Sequence, residues 1–146
     1  MNADIDRRLH HLEAHRELSE LLCRYQQTTD RGDMAGWAAC FVEDAVVPRS
    51  DSDIPLRGRA EIAARGAEFI AGFEARQHVI GNLSFDIDGD EATGASDLIF
   101  TGRPVGASLE DYVQFGATYR WGFRRTAEGW KIVSRDMMVV WQRPRG

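Results

Sequence analysis

The hydrophobic period of this chain changes once, near Phe73, and that change divides what it can fold into. Before Phe73 the apolar residues recur at helical spacing. Leu18, Leu21, Leu22 and Tyr25 fall at i, i+3, i+4 and i+7, and Ile5, Leu9 and Leu12 extend the stripe backwards. The spacing predicts one amphipathic helix from about residue 4 to 29, stopped by Gly32. Asp33 is placed to cap a short second helix, MAGWAACF, with Trp37 and Phe41 facing one way. AVVPR reads as an edge-type strand because Pro48 has no N–H to give a central ladder, and Ile54 to Leu56 can pair with it across SDSD. Gly58 opens a third helix with Ile62, Phe69, Ile70 and Phe73 on its buried side. After Phe73 the period becomes two. Residues 76–87 form a strand, DGDE a hairpin turn, residues 91–100 the returning strand, and TGRPVGAS a loop. Val113, Phe115, Ala117, Tyr119, Trp121 and Phe123 then alternate along a long strand, and TAEG turns it into a last one, WKIVSRDMMVVWQ. Helices first and hairpins afterwards predict a single α+β domain with an antiparallel sheet around an apolar pocket.

The 146 residues fit one domain, and the net charge of -5 argues against a nucleic-acid surface. No stretch approaches the roughly 20 apolar residues of a membrane span. The N-terminus is polar and helical in pattern, without the apolar core of a signal peptide. Cys23 and Cys40 make no disulfide framework and read as reduced residues of a cytoplasmic protein. Metal and cofactor motifs are absent. His11 and His15 are four apart, but Glu13 is misplaced for HExxH, and DIDGDE has Glu91 where a calcium loop needs glycine. Neither a metal nor an organic cofactor is expected.

Three polar residues could carry chemistry. Tyr25 lies on the buried side of the first helix, and Asp30 follows at its last turn. A carboxylate there sits near the negative end of the helix dipole, where it needs compensation. It is either a turn residue of TTDRGD or part of a site. His78 lies in the strand RQHVIGNLSF, where a period of two puts His78, Ile80 and Asn82 on one face, neighbours about 6.6 Å apart. His78 is either a hydrogen-bonded core histidine or a general base pointing into a cavity with the Asn82 amide.

The strings ELLCRYQQTTDRGDMAGWAACFVEDAV, LRGRAEI, RQHVIGN and RRTAEGWKIVSR resemble, in order and spacing, the SnoaL-like branch of the nuclear transport factor 2-like superfamily. The resemblance touches most of the chain. It implies a cone-shaped α+β barrel, a strongly curved antiparallel sheet packed on three N-terminal helices. Scytalone dehydratases, bile-acid dehydratases and a hexachlorocyclohexane dehydrochlorinase in that superfamily resemble this chain at Asp30 and His78, which match their catalytic pair. Tyr25 matches the aromatic hydroxyl of the bile-acid dehydratases. Scytalone dehydratase has a second histidine where SDLIF offers none, and Arg49 stands where a steroid isomerase has its base.

The expectation is a lyase of the dehydratase kind acting on a hydrophobic cyclic or polyketide-like molecule. His78, Asp30 and Tyr25 are its candidate catalytic residues, and Asn82, Trp37, Phe41 and Tyr119 its candidate substrate-binding residues. Isomerisation or cyclisation by the same dyad, or a non-catalytic binding or assembly role, are the alternatives. Met137, Met138 and Trp141 on the last strand add apolar surface that suggests a homodimer.

Overall fold

The computed structural model describes residues 2–143. The first helix, α1, spans Ala3–Arg31 and starts at Asn2, whose side chain accepts from the Asp4 N–H at 3.1 Å. It ends at Gly32 with φ +73°, a left-handed turn in which the Gly32 N–H reaches the Thr28 and Thr29 carbonyls. Asp33 caps α2, Met34–Ala38, by accepting from the Gly36 N–H at 2.9 Å. This helix stops short of Phe41, which instead begins β1, Phe41–Val47. Then come β2 (Leu56–Arg57), α3 (Gly58–Ala71), β3 (Phe73–Asp88), β4 (Glu91–Pro104), β5 (Val113–Thr126) and β6 (Gly129–Gln142).

The six strands form one curved sheet in the order β2-β1-β6-β5-β4-β3, with the helices packed on it. Neighbours run antiparallel except β1 and β6, which run parallel. Two readings from sequence change here. β1 is an interior strand, not an edge, because Pro48 falls one residue past its end and its missing N–H never enters the ladder. Thr101–Pro104 belong to β4 and not to a loop, because β3 is long enough to pair with them as far as Phe73↔Pro104. On α3 only Ile62 is buried. Phe69 is exposed and rests on Phe73 and Phe100, with ring centroids 5.3 and 5.5 Å away.

The core lies between α1 and the concave face, where Leu18, Leu21, Leu22, Phe41, Phe100, Phe123 and Ile132 are sealed from solvent. Burying side chains of this size stabilises by about 1.5–3 kcal/mol each. β3 carries a bulge that matters for the site. Asn82 and Leu83 together face Ser96 of β4, between the pairs Gly81↔Asp97 and Ser84↔Ala95. Asn82 takes φ +52°, a left-handed conformation that asparagine tolerates better than most residues. Before the bulge Arg76, His78 and Ile80 turn inward; after it Leu83, Phe85 and Ile87 do.

Candidate functional site

β3 is an edge strand, so only β4 pairs with it, and its other edge needs partners. The last turn of α1 supplies them. The His78 backbone N–H donates to Asp30 Oδ2 at 2.9 Å, and His78 Nδ1–H donates to Oδ1 at 2.5 Å. Beside them, Arg76 Nε–H donates to the Thr29 carbonyl at 2.9 Å. Two donors from one residue compensate for a carboxylate placed against the helix dipole. The His78 side chain is 7% exposed and that of Asp30 21%. With its Nδ1 proton engaged by Asp30, the imidazole keeps its lone pair on Nε2. Burial pushes the His78 pKa below its ordinary value; the Asp30 bond and charge oppose this, and the Arg76 and Arg135 charges reinforce it. The ring is therefore neutral at pH 7 and can accept a proton.

Tyr25 sits about one and a half α1 turns before Asp30, at the centre of an aromatic cluster. Its ring lies 5.3 Å from Trp121, 5.4 Å from Trp37, 5.8 Å from Phe41 and 6.5 Å from Tyr119. Its hydroxyl oxygen accepts from Arg135 Nη1 at 2.8 Å. Because Arg135 donates to that oxygen, the Tyr25 hydroxyl proton is free to be donated elsewhere.

Arg135, on β6, escaped the sequence reading. A usable signal was present: Val133, Arg135 and Met137 share one strand face, and the outer two pack against the core. Its charge also contributes to keeping the nearby imidazole neutral. Gln26 was missed too. It is 3% exposed, and neither its amide nitrogen nor its amide oxygen has a hydrogen-bond partner. Its side chain approaches the Tyr119 hydroxyl without completing a bond. Burial holds the Tyr119 phenol well above its ordinary pKa.

The structure brings Asp30, His78 and Tyr25 into one region, with Tyr119 beside Tyr25. It does not place Asn82 there. The bulge reverses the alternation after Ile80, so Asn82 projects from the outer face, where its Nδ2 donates to Asp97 Oδ2 at 2.7 Å. Asn82 therefore does not share the face of His78 that the strand period predicts for it. Trp37, Phe41 and Tyr119 are all buried and pack around Tyr25. Two surface depressions lie elsewhere. One, about 630 Å³, runs along the outer side of α1 past Arg16, Cys23, Arg24 and Arg31; the other, about 600 Å³, lies near the β3–β4 turn beside Asp86, Phe123 and Arg124. Among the described residues no three His, Cys, Asp or Glu side chains gather as a metal-ligand set, and no helix is long and apolar enough to cross a membrane.

A family model described as the SnoaL-like domain matches residues 10–136. An uncharacterized protein of Mycobacterium tuberculosis, Rv2910c, is 30% identical over 121 residues, covering 82% of this chain and 80% of the relative. An NTF2-like protein with a cystatin-like fold from Novosphingobium aromaticivorans superposes with a TM-score of 0.79 at 27% identity, covering 96% of this chain and 90% of the other. Two more distant structures share the fold. A protein from Novosphingobium aromaticivorans assigned as a scytalone dehydratase has a TM-score of 0.84 at 18% identity, covering 93% of this chain and 90% of the other. A hexachlorocyclohexane dehydrochlorinase, LinA type 2, has a TM-score of 0.80 at 18% identity, covering 99% and 94%. Together with the curved sheet and the helices packed against it, these matches establish that the chain belongs to the SnoaL-like domain family of the nuclear transport factor 2-like superfamily.

Proposed function

We propose that this protein is a lyase of the dehydratase kind, acting on a hydrophobic cyclic or polyketide-like substrate with His78 as general base. The observation that carries this reading is the double grip of Asp30 on the backbone N–H and Nδ1–H of His78. That grip fixes the ring orientation and leaves Nε2 as the proton acceptor. In the first step Nε2 takes a proton from the carbon next to a carbonyl, and Asp30 stabilises the imidazolium that forms. The carbonyl oxygen gains the charge and accepts a hydrogen bond from Tyr25, whose own oxygen is held by the Arg135 cation. In the second step the carbonyl re-forms and the hydroxyl on the β-carbon leaves, taking the proton from His78 and departing as water. A positioned acid–base residue contributes about 10²–10⁴-fold. The scheme calls on no metal or organic cofactor. Isomerisation and cyclisation use the same proton transfers and are alternative outcomes of the same dyad.

Fold neighbours described as a scytalone dehydratase and a dehydrochlorinase support the lyase reading. The dense packing of Trp37, Phe41 and Tyr119 supports a second one, a non-catalytic ligand-binding or accessory domain. A panel of cyclic β-hydroxy ketones separates the two. Wild-type protein should release water from at least one of them, and His78→Ala protein should not. Conversion at the wild-type rate by His78→Ala would reject the mechanism. We place the protein in the cytoplasm, on its reduced cysteines, and expect it to act as a homodimer.

A further inference from the structure

We propose that Arg135 and Gln26 form a carboxylate-binding end of this site, so that its ligand is an aromatic or alicyclic carboxylic acid. The inference names a substrate class for the site proposed above and is tested by binding alone. Buried polar atoms in folded proteins nearly always have partners, and buried charges are almost always paired. Here three neighbouring atoms break that rule together. Arg135 Nε is sealed and unpartnered, and so are Nε2 and Oε1 of Gln26. The single hydrogen bond of the Arg135 side chain goes to a neutral hydroxyl, that of Tyr25, and no carboxylate among the described residues pairs with it. The other charges near this end are Asp30, already engaged twice by His78, and the cation of Arg76. The interior therefore carries a positive charge and a surplus of donors that the chain itself does not answer.

A carboxylate answers them all. One oxygen accepts from Arg135 Nε–H and the other from Gln26 Nε2–H. Gln26 Oε1 is then left to accept from the nearby Tyr119 hydroxyl. A neutral carbonyl would leave the cation unmatched. Water could fill the hydrogen bonds but would supply no charge. The apolar body of the acid would lie toward Phe100 and His78, whose rings are 4.8 Å apart.

Trp121 and Trp37 flank Tyr25, so fluorescence of the full chain reports occupancy. Titration with benzoate and with benzamide, its neutral counterpart, isolates the charge. We expect benzoate to bind saturably and at least about 10-fold more tightly than benzamide, the fold-change of one charge-assisted hydrogen bond. Arg135→Leu should bring the two ligands to parity. Because the half-buried Arg135 packs against Tyr25 and Tyr119, that variant can fail to fold. Gln26→Leu is close to isosteric, and it should weaken benzoate about 10-fold while its near-ultraviolet circular dichroism stays that of the wild type. Benzoate binding no tighter than benzamide, or unchanged in Gln26→Leu, would overturn the inference and leave ordered water in the cluster. A protein that turns over no hydroxy ketone but keeps the benzoate preference would sink the lyase reading and uphold this one.

Discussion

Replacing His78 with alanine removes the proposed base, and replacing Asp30 with asparagine keeps its shape but removes the charge that stabilises the imidazolium. Each change should lower kcat by about 10²-fold or more on a substrate that wild type converts. The double variant should be hardly worse than either single one, because the two side chains act as a unit. The acid side of the rate profile checks the same pair. Burial lowers the His78 pKa, so kcat/KM should reach half its plateau below pH 6.5 and stay flat above neutrality. The linkage to stability has a definite sign. On acidification the unfolded chain protonates this histidine near 6.5, and the folded chain only at lower pH. Stability attributable to His78 is thus whole above 6.5 and declines as pH falls toward the depressed folded value. Urea titrations at pH 7.5 and 5 should show a smaller loss for His78→Gln than for wild type. At this scale the periods put Tyr25 on the buried side of a helix and His78 on a strand face, and the family resemblance paired Asp30 with His78 and singled out Tyr25. The sequence was silent about Gln26, whose significance lies in the partners it lacks, which only packing reveals, and it offered for Arg135 only a charge on the core-facing side of the last strand.

Elements were legible in type and less so in their borders. Gly32 and Asp33 marked the stop of α1 and the start of α2 because such caps act locally, while the sequence pattern runs past the stop of α2. The place of β1 was not legible, since its parallel partner β6 lies about ninety residues away and no local pattern announces it. Gly32 joins element to site. A Cβ there would come within 3.1 Å of Arg76 Nη2, at a φ that L side chains rarely adopt. Gly32→Ala should cost about 1 kcal/mol from the backbone alone. It should also lower activity, since Arg76 fastens β3 to the Thr29 carbonyl one residue before Asp30. Gly106→Ala is the control: it also has positive φ, but nothing lies within 4 Å, so denaturant melts should show a backbone cost and assays no loss of rate.

For the whole molecule, the outer sheet face is the open question that the fold poses. Val79 pairs with Ile99, Ile99 with Gly116 and Gly116 with Trp141, which makes one continuous row across four strands. Gly116 has no side chain because the Trp141 indole lies over it; a Cβ would meet Trp141 Nε1 at 2.1 Å. Val79, Ile99 and Trp141 are 56%, 46% and 45% exposed, with Met138 and Val140 nearby. An apolar row of this kind marks an association surface. Sedimentation at tens of micromolar, a range that detects weak association, should give twice the 16.4 kDa chain mass. Ile99→Lys, in the middle of the row, should give the monomer. A wild-type monomer under these conditions would reject the homodimer. The bulge at Asn82 bears on how such a chain can change over generations. Ahead of it, β3 faces the site; behind it, the same strand faces the core, and one extra residue separates the two phases. Deleting Asn82 would leave Gly81, Leu83 and Ser84 opposite Asp97, Ser96 and Ala95 in unbroken register, with Leu83, Phe85 and Ile87 still inward. Straightening the strand with Asn82 retained would instead turn those three out to water and carry Asp86 and Asp88 inward. A one-residue deletion at the bulge therefore keeps both the dyad and the core, whereas a one-residue deletion or insertion within Leu83–Ile87 changes which of the residues beyond it face inward.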